Sequence, residues 1–536
     1  MNLKIKEMKT KTSKFLIVTM LLSTLLITFN GCDESQLEIS NPNTVSQLDF
    51  FENEADFRVA VNGMIHPITA VFFWGRVVHT GPLLRSDAFN VVPFANNTTM
   101  STLQGVPGVS RWSSDMFPQL YQAIFRANTI LEEANDENLP AGNARNEILG
   151  QAYFMRAFAN WYLAAFWGNV PLILETPDPD NQESFFPSQS TQTEVFNSVI
   201  EDLTMAASML PPTWSDNDLG RPTSGSALAL RGKTHLYLRN YGQAAADLQA
   251  VVDSGVYDLL PAAQYEENFT TANENNIESV FELQFAPQDN FVWGSDIPLT
   301  GSQSNFYIDY SPPTVSLDRG HYINPHILQV FEDNGDTVRR NETIVFDYPG
   351  ATGYAGEPFL EDFAPDIEAA GVAGVEALFT KKYAFLFAGT RQELPGFGQT
   401  TGVNWRIIRY ADVLLMLAEA ENAEGNQAGA IALINQVRQR AEIADLPAGL
   451  SQQEVFDAIV NERIMELTGE GHRYLDLVRW ELADDVMGQG STIAGGRHPK
   501  SLAGESAFFT PGRDELLWIP VPQLNANPNL DQNPGY

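Results

Sequence analysis

The chain has 536 residues, of which 44% are hydrophobic and 11% aromatic, and its 67 acidic and 32 basic side chains give a formal net charge of −35. This apolar content can build a large core or two domains, which excludes disorder over most of the length. A surface this acidic repels nucleic acid, anionic lipid and polyanionic ligands, whereas a neutral ligand meets no such penalty. We therefore expect no nucleic-acid partner.

The N-terminus has the pattern of an export signal. Five lysines within the first 14 residues precede an uncharged apolar run over residues 15–29. A membrane-spanning helix needs about 20 apolar residues, so the run fits the core of a secretory signal better. Gly31 and Cys32 follow, and the arrangement resembles a bacterial lipoprotein signal, with residues 1–31 removed and lipid attached to Cys32. The alternative is an ordinary signal peptide with an incidental cysteine.

Cys32 is the only cysteine of the sequence, which removes several chemistries. No disulfide can form within the chain, and a lipidated Cys32 leaves no thiol for nucleophilic catalysis or for a thiolate metal site. Residues 32–44 are polar, and we interpret them as a lipidated tether. Residues 45–536 are then expected to form a single domain held at a membrane surface.

Helical periodicity dominates the first half of this domain. Residues 116–134 and 148–167 carry apolar side chains at helical spacing, and the second run stops at Gly168, with Pro171 just beyond. Two later segments resemble tetratricopeptide-type helical hairpins. Gly232 and Ala418 stand where such a hairpin needs a small residue for close packing, each followed by a turn and a second helix.

Between these hairpins, over residues 256–404, the periodicity fades. This stretch is rich in glycine, proline, asparagine and aromatic residues, with β-like runs such as residues 280–285. We interpret it as a loop-rich insertion carrying short strands, because loops on a rigid scaffold commonly hold binding sites. The fold prediction is thus mainly α, with tetratricopeptide-like hairpins forming a scaffold over about 45–255 and 405–536. The particular composition of residues 525–536 predicts a C-terminus packed on the body.

The common catalytic and metal-binding motifs are incomplete. The seven histidines form no HExxH pattern, and no GxSxG motif occurs. Residues 232–234 imitate the end of a phosphate-binding loop without its earlier glycine, and residues 216–220 are one residue short of an EF-hand opening. The 67 acidic residues offer too many pairs to single out one for glycoside hydrolysis. We expect no cofactor, no bound metal and no catalytic residue.

Four segments carry a distinctive combination of motifs. They are RAFANWYLAAFWGNVPLIL at 156–174, RYADVLLMLAEAENAEGNQAGAIALINQVRQRA at 409–441, IVNERIMELTGEGHRYLDLVRW at 459–480 and LWIPVPQLNANPNLDQNPGY at 517–536. Their order, the lipoprotein-like start and the chain length together resemble the SusD/RagB family of surface glycan-binding lipoproteins of Bacteroidetes. The resemblance covers essentially the whole chain after the signal and is weakest over residues 256–404.

The resemblance implies a function at the cell surface. Members of this family are helical, with four tetratricopeptide-like hairpins beneath a loop-rich ligand face. Each captures an oligosaccharide or polysaccharide without cleaving it, and sits on a SusC-like TonB-dependent transporter of the outer membrane. The resemblance does not name the sugar, and a β-glucan such as laminarin is our candidate.

The same motifs contain charged and aromatic residues that we assign to the scaffold. The charged residues Glu462, Arg463, Glu466, Glu470 and Arg473 are expected to form a buried hydrogen-bonded network that locks helices together. The tryptophans at positions 161, 167, 480 and 518 lie in these motifs and are expected to be structural. Trp112, at a predicted helix start, is also expected to be structural.

The resemblance places the ligand face in the early segment and the insertion. Sugar rings stack their C–H faces on exposed aromatic rings, and their hydroxyls pair with short polar side chains. The candidate ligand-binding residues are Phe73, Trp74, Arg85, Asp87, Asn96, Asn290, Phe291 and Trp293. Trp74 and Trp293 are interpreted as stacking platforms, because they lie outside the scaffold motifs in polar, loop-like contexts; each is alternatively a core residue beneath a loop. The reserve candidates are Tyr307, Tyr310 and Tyr322.

Two other classes of function stay open at this point. An all-helical glycoside hydrolase predicts a dominant pair of carboxylates with raised pKa values in a cleft. A helical-repeat adaptor for peptides or outer-membrane assembly predicts an extended concave groove without clustered exposed aromatic residues.

Overall fold

The computed structural model describes residues 50–70, 81, 83–91, 100, 103, 111–285, 310, 321–349, 351, 358–362, 378–384, 402–492, 501–502, 505–506 and 508–536. The chain divides into a unit of residues 1–56 and a unit of residues 57–536. In the first unit, the Asp56 carboxylate accepts hydrogen bonds from the backbone amides of Glu52 and Asn53. These bonds satisfy amide groups where the first helix begins.

Helices make up most of the described chain. They are α1 (Glu54–Thr69), α2 (Arg111–Glu133), α3 (Asn143–Trp167), α4 (Gln192–Met209), α5 (Ser224–Tyr237), α6 (Tyr241–Asp253), α7 (Pro325–Asp333), α8 (Thr337–Thr343), α9 (Phe359–Asp362), α10 (Tyr410–Ala423), α11 (Gln427–Arg440), α12 (Gln452–Leu467), α13 (Arg473–Arg479), α14 (Ala483–Met487) and α15 (Val521–Ala526). Among the described residues, none of these helices combines the length and apolar character that a membrane crossing requires.

Local sequence explains where several helices begin and end. Thr191, Thr223 and Ser451 each form a capping box at the start of α4, α5 and α12, which satisfies exposed backbone amides. Helix α3 ends at Gly168, whose φ of 70° is a left-handed conformation that glycine adopts without strain. The helix stop predicted at Gly168 is therefore confirmed.

The helices from α2 to α6 pack consecutively, each against the next, and α6 then packs against α10. This last contact joins two helices that the whole insertion separates in sequence. Helix α10 also packs against α11 and α12. The result is one continuous helical scaffold in the second unit, as the sequence predicted.

The two predicted hairpins are α5 with α6 and α10 with α11. A Cβ atom added to Gly232 would lie 2.7 Å from Cγ of Leu248 on α6, so the close approach of these helices requires glycine. Ala418 is fully buried in α10. Both small residues have the packing role that the sequence assigned to them.

The strands are short, and four of the ten in the described part of the chain lie in the insertion. They are β1 (Phe89–Val91), β2 (Val170–Pro171), β3 (Gln189–Ser190), β4 (Ser279–Leu283), β5 (His321–Ile323), β6 (Ile344–Val345), β7 (Phe379–Thr380), β8 (Trp405–Arg409), β9 (Ser501–Leu502) and β10 (Glu505–Ser506). Strands β1, β5, β7 and β6 form one sheet in that order, and β4 pairs with β8, antiparallel in every case. The strand predicted within residues 280–285 is confirmed as β4.

Most of the tryptophans assigned to the scaffold are in the core. Trp161, Trp167 and Trp518 are at most 1% exposed, whereas Trp480 is half-buried against Phe456. The side chain at position 112 lies outside the described residues.

The C-terminus packs on the body, as predicted. The Asn533 side-chain amide donates hydrogen bonds of 2.9 and 2.6 Å to the carbonyls of Trp167 and Leu517. The ring of Tyr536 lies 5.5 Å from that of Trp518. The tail thus closes over the end of α3.

Candidate functional site

Most of the predicted ligand-binding residues lie outside the described residues, and so does the predicted lipidation site at Cys32. The residues in question are Phe73, Trp74, Asn96, Asn290, Phe291 and Trp293, together with the reserve residue Tyr307 and the side chain of Tyr322. Their role remains a prediction. The described residues that flank them show how the two predicted ligand-binding segments are anchored.

Arg85 is fully buried. Its Nη2 atom donates a 2.6 Å hydrogen bond to the carbonyl of Asp514, and its guanidinium group lies 5.0 Å from the centre of the Tyr474 ring. A side chain in this position has no surface to offer a ligand. We therefore correct its interpretation as a ligand contact and assign Arg85 to the support of the early segment.

Asp87 is only 2% exposed and is also held from inside. Nε and Nη2 of Arg473 donate hydrogen bonds of 2.9 and 3.1 Å to its two carboxylate oxygens, and Nε2 of His326 lies 3.1 Å from one of them. Burial alone would raise the pKa of Asp87, but Arg473 and His326 outweigh it and hold that pKa below its usual range. Asp87 is thus an ionised structural residue, which corrects its assignment to the ligand.

Strand pairing brings the early segment next to the end of the insertion. In the β1–β5 pair, Val91 is opposite His321. Val91 immediately precedes residues 92–99, and His321 immediately follows residues 311–320. The point where the chain enters residues 92–99 therefore lies beside the point where it leaves residues 311–320.

The insertion has a second anchor at Trp405. The Phe285 amide donates a 2.7 Å hydrogen bond to the side-chain oxygen of Asn404, and Leu283 pairs with Trp405 in the β4–β8 ladder. The buried ring of Tyr310 lies 6.0 Å from the Trp405 ring. Residues 286–309, which include Trp293, are therefore bounded on both sides by residues near Trp405. Because Tyr310 is fully buried, we correct its reserve role as a stacking platform.

Both segments are fastened to residues 469–473 (GEGHR), a short loop together with the first residue of α13, which we call the GEGHR loop. The hydroxyl of Tyr310 donates a 3.1 Å hydrogen bond to the Gly469 carbonyl, while Arg473 holds Asp87 at the other end of the loop. Gly469 and Gly471 have φ angles of 91° and 86°, which explains the two glycines of this motif. The GEGHR loop thus links the base of the early segment to the base of the insertion.

A buried charge network fixes this loop to the scaffold. Arg409, at the end of β8, forms ion pairs of 2.5 Å with Glu278, 2.7 Å with Glu466 and 2.7 Å with Glu470. Arg440 pairs with Glu466 at 2.5 Å. Of the five residues predicted to form one buried network, Glu462, Glu466 and Glu470 belong to it. Arg463 is also buried but pairs with Asp412 and Asp476, and the partly exposed Arg473 pairs with Asp87, so the prediction is confirmed only in part.

The network keeps Glu466 and Glu470 ionised. Burial would raise the pKa of Glu466, but Arg440 and Arg409 outweigh it and hold that pKa well below its usual range. Burial also lowers the pKa of Lys382 to about 8, although Glu470 pulls it upward. These groups lack solvent access, so they act in structure rather than in ligand contact.

Sequence reasoning missed a tryptophan on a surface loop. Trp214 lies half-buried between α4 and α5 and lines a cavity of about 200 Å³. An adjoining cavity of about 250 Å³ shares Leu219, Gly220, Arg221, Phe281 and Glu282 with it. We call the two cavities together the Trp214 cleft. The available signal was the sequence PPTWSDNDLG at 211–220, a tryptophan among turn-forming residues.

The acidic run within that loop is not arranged around a metal. Asp218 pairs with Arg221 at 2.8 Å. Across the described part of the chain, no three histidine, cysteine, aspartate or glutamate side chains lie where they could jointly hold a metal ion.

Comparison with known proteins gives matches along the chain. The model of the SusD family matches residues 381–536, and a second model, described as starch-binding associating with outer membrane, matches residues 90–238. SusD-like protein P2 of Formosa agariphila is 28% identical over 538 residues, covering 96% of this chain and 98% of that protein.

Solved structures share the fold. A SusD superfamily protein from Bacteroides vulgatus has a TM-score of 0.75 at 27% identity, covering 91% of this chain and 100% of the other. A laminarin-binding SusD-like protein has a TM-score of 0.70 at 26% identity, covering 90% of this chain and 100% of the other. Motif order, helical architecture and these matches agree, and we conclude that the chain belongs to the SusD/RagB family.

Proposed function

We propose that this protein binds a neutral glycan at the cell surface and does not cleave it. The observation that carries the proposal is the common anchoring of the two predicted ligand segments. Asp87 and Tyr310 are both fastened to the GEGHR loop, and Val91 pairs with His321. Such anchoring supports a single ligand face drawn from the early segment and the insertion, with the loops held by a rigid base.

The nature of the ligand is supported by charge and by relatives. A chain with a net charge of −35 favours neutral over anionic ligands. The structural neighbour at 26% identity is a laminarin-binding protein, and the family model over residues 90–238 is described as starch-binding. We therefore propose a neutral glucan, with a β-glucan such as laminarin as the first candidate.

We further propose a lipid-anchored protein on the outer membrane that passes its glycan to a SusC-like TonB-dependent transporter. The signal-like N-terminus and the lone Cys32 support the anchor. The matched family model, whose description includes association with the outer membrane, supports the location. The SusD/RagB membership supports the transporter as partner.

Binding without cleavage is supported by the state of the buried acids. Glu466 and Glu470 are ion-paired to arginine and have pKa values below the usual range, so they are poor proton donors.

Glu274 differs, because burial raises its pKa to about 7. Its carboxylate accepts a 2.8 Å hydrogen bond from the Asn404 amide. Incubating the protein with laminarin should release no reducing ends, and sustained release that stops in a Glu274→Gln variant would show a hydrolase instead.

Alanine substitution of the predicted stacking residues tests the ligand face. We expect Trp74→Ala and Trp293→Ala to abolish detectable laminarin binding in calorimetry, because losing an aromatic anchor commonly costs about 2 kcal/mol or more. Their melting temperatures should stay near that of the wild type.

Trp161→Ala is the control with the opposite expectation. Trp161 is 1% exposed in α3, so its truncation should destabilise the fold by about 3–5 kcal/mol. Normal binding and melting by both Trp74→Ala and Trp293→Ala would place the ligand elsewhere.

A further inference from the structure

The Trp214 cleft is formed where the α4–α5 loop meets the edge of β4. Leu219 and Ile277 line its first cavity with 49% and 51% of their surface exposed. Trp214, Tyr257 and Phe281 line the same cavity. Aromatic and aliphatic walls with a few polar groups are the usual composition of a small-molecule site.

The walls of this cleft are fixed. The Trp214 indole nitrogen donates a 2.9 Å hydrogen bond to the Pro222 carbonyl. The Tyr257 hydroxyl is 2.7 Å from that of Thr223, the residue that caps α5. Both rings are therefore held in place without a ligand, which lowers the entropy cost of binding.

The wall between the two cavities is equally constrained. Gly220 has a φ of 86°, and a Cβ atom there would lie 2.2 Å from the side-chain carbon of Gln284. The Gln284 amide in turn exchanges hydrogen bonds of 3.0 Å with the amide of Asn275. Glycine is thus required at position 220 for the loop to approach this amide pair.

The charged groups of the cleft already have partners. Arg221 is bound to Asp218 at 2.8 Å and to Gln151 at 3.0 Å. Glu282 pairs with Arg406 at 3.1 Å. With both charges compensated inside the protein, the cleft favours an uncharged ligand that presents apolar faces and hydroxyl groups.

One residue of the cleft lies just before a predicted ligand segment in the sequence. Gln284 lines the second cavity, and the chain runs from there through Phe285 into residues 286–309. We propose that the Trp214 cleft is a second saccharide-binding site that takes a further unit of the same neutral glycan. This inference rests on the proposed function. A glycan held at two places gains affinity through effective concentration, provided that its length spans both.

Calorimetric titration with laminarin and with soluble starch tests the second site. We expect Trp214→Ala to weaken the binding of the polymer by about tenfold or more, as truncating an aromatic anchor commonly does. Ile277→Ser should weaken it in the same direction without affecting the fold, because the side chain is half exposed. If Trp214→Ala lowers the melting temperature, Ile277→Ser is the variant that tests the second site.

Met205→Ser is the matched control. Met205 is an apolar residue of α4 that is 39% exposed, and it does not line the cleft. Unchanged polymer affinity in both cleft variants would overturn the second site while leaving the proposed function intact. Lost association with the transporter at unchanged glycan affinity would overturn it in favour of protein docking. A wild-type protein that binds neither glucan would overturn both proposals.

Discussion

Arg409 shows how one residue can position a binding surface without contacting a ligand. It is 1% exposed and forms ion pairs with three buried carboxylates. Of these, Glu466 lies just before the GEGHR loop and Glu470 belongs to it. Buried ion pairs add little to stability overall, since desolvation offsets their attraction, but removing one partner leaves the other charge uncompensated. The energetic importance of Arg409 is therefore visible only when it is deleted.

Replacing Arg409 by methionine should lower the free energy of unfolding by about 3–5 kcal/mol, because Glu278, Glu466 and Glu470 lose a shared counter-ion. Denaturant unfolding measures this change. Arg239→Met is the control: Arg239 forms an exposed pair with Glu481, with 57% and 74% of the side chains accessible, so the loss should stay below about 1 kcal/mol. Equal effects of both variants would contradict the structural role of the network.

The residue scale is also where sequence prediction fell short. Arg85 and Asp87 are polar residues close to aromatic ones, which favoured a ligand role. Their partners Asp514 and Arg473 are 429 and 386 positions away. Local sequence does not reveal that such a partner buries the side chain. Trp214 is the opposite case. The turn-forming residues around it indicate a surface loop, although the candidate ligand-binding residues predicted from the sequence did not include it.

At the scale of elements, the sequence predicts what local periodicity determines. The hairpins at Gly232 and Ala418, the stop at Gly168 and strand β4 all depend on spacing within a few residues. The sheet of β1, β5, β7 and β6 was not predicted. Its strands are only two or three residues long, and each pairs with a strand that is distant in the sequence. Pairing of this kind depends on tertiary context rather than on strand propensity.

The first hairpin offers a direct test of this packing. Gly232→Val should destabilise the protein by about 1–3 kcal/mol, the usual cost of overpacking, because its Cβ alone would lie 2.7 Å from Leu248. Gly242→Val, in the first turn of α6, is the matched control. Its nearest neighbour, Glu424, would be 3.8 Å from the added Cβ, so the change should be near neutral. Thermal melting compares them, and a tolerated Gly232→Val would contradict the close approach.

At the scale of the whole molecule, charge and attachment are connected. Residues 1–31 carry five lysines and one glutamate, so the chain without them is more acidic than the net charge of −35 for the whole sequence. Such a chain is repelled by anionic lipid headgroups, and electrostatic attraction cannot hold it at a membrane. The described part of the chain has no helix suited to spanning a membrane. Attachment through the lipid proposed at Cys32 would not depend on electrostatic attraction.

Cys32→Ala tests that anchor. We expect the wild-type protein to remain in the membrane fraction after a high-salt wash, because salt screens charge-based attachment but not the burial of acyl chains. The variant should lose its lipid and appear in the soluble fraction, while its melting temperature and glycan binding stay unchanged, since residues 32–44 are proposed to be only a tether. Metabolic labelling with a fatty acid shows whether the lipid is attached, and mass spectrometry of the N-terminus shows whether residues 1–31 have been removed. A Cys32→Ala protein that has lost residues 1–31 and still stays on the membrane through the high-salt wash would contradict lipid anchoring and require a protein partner as the attachment.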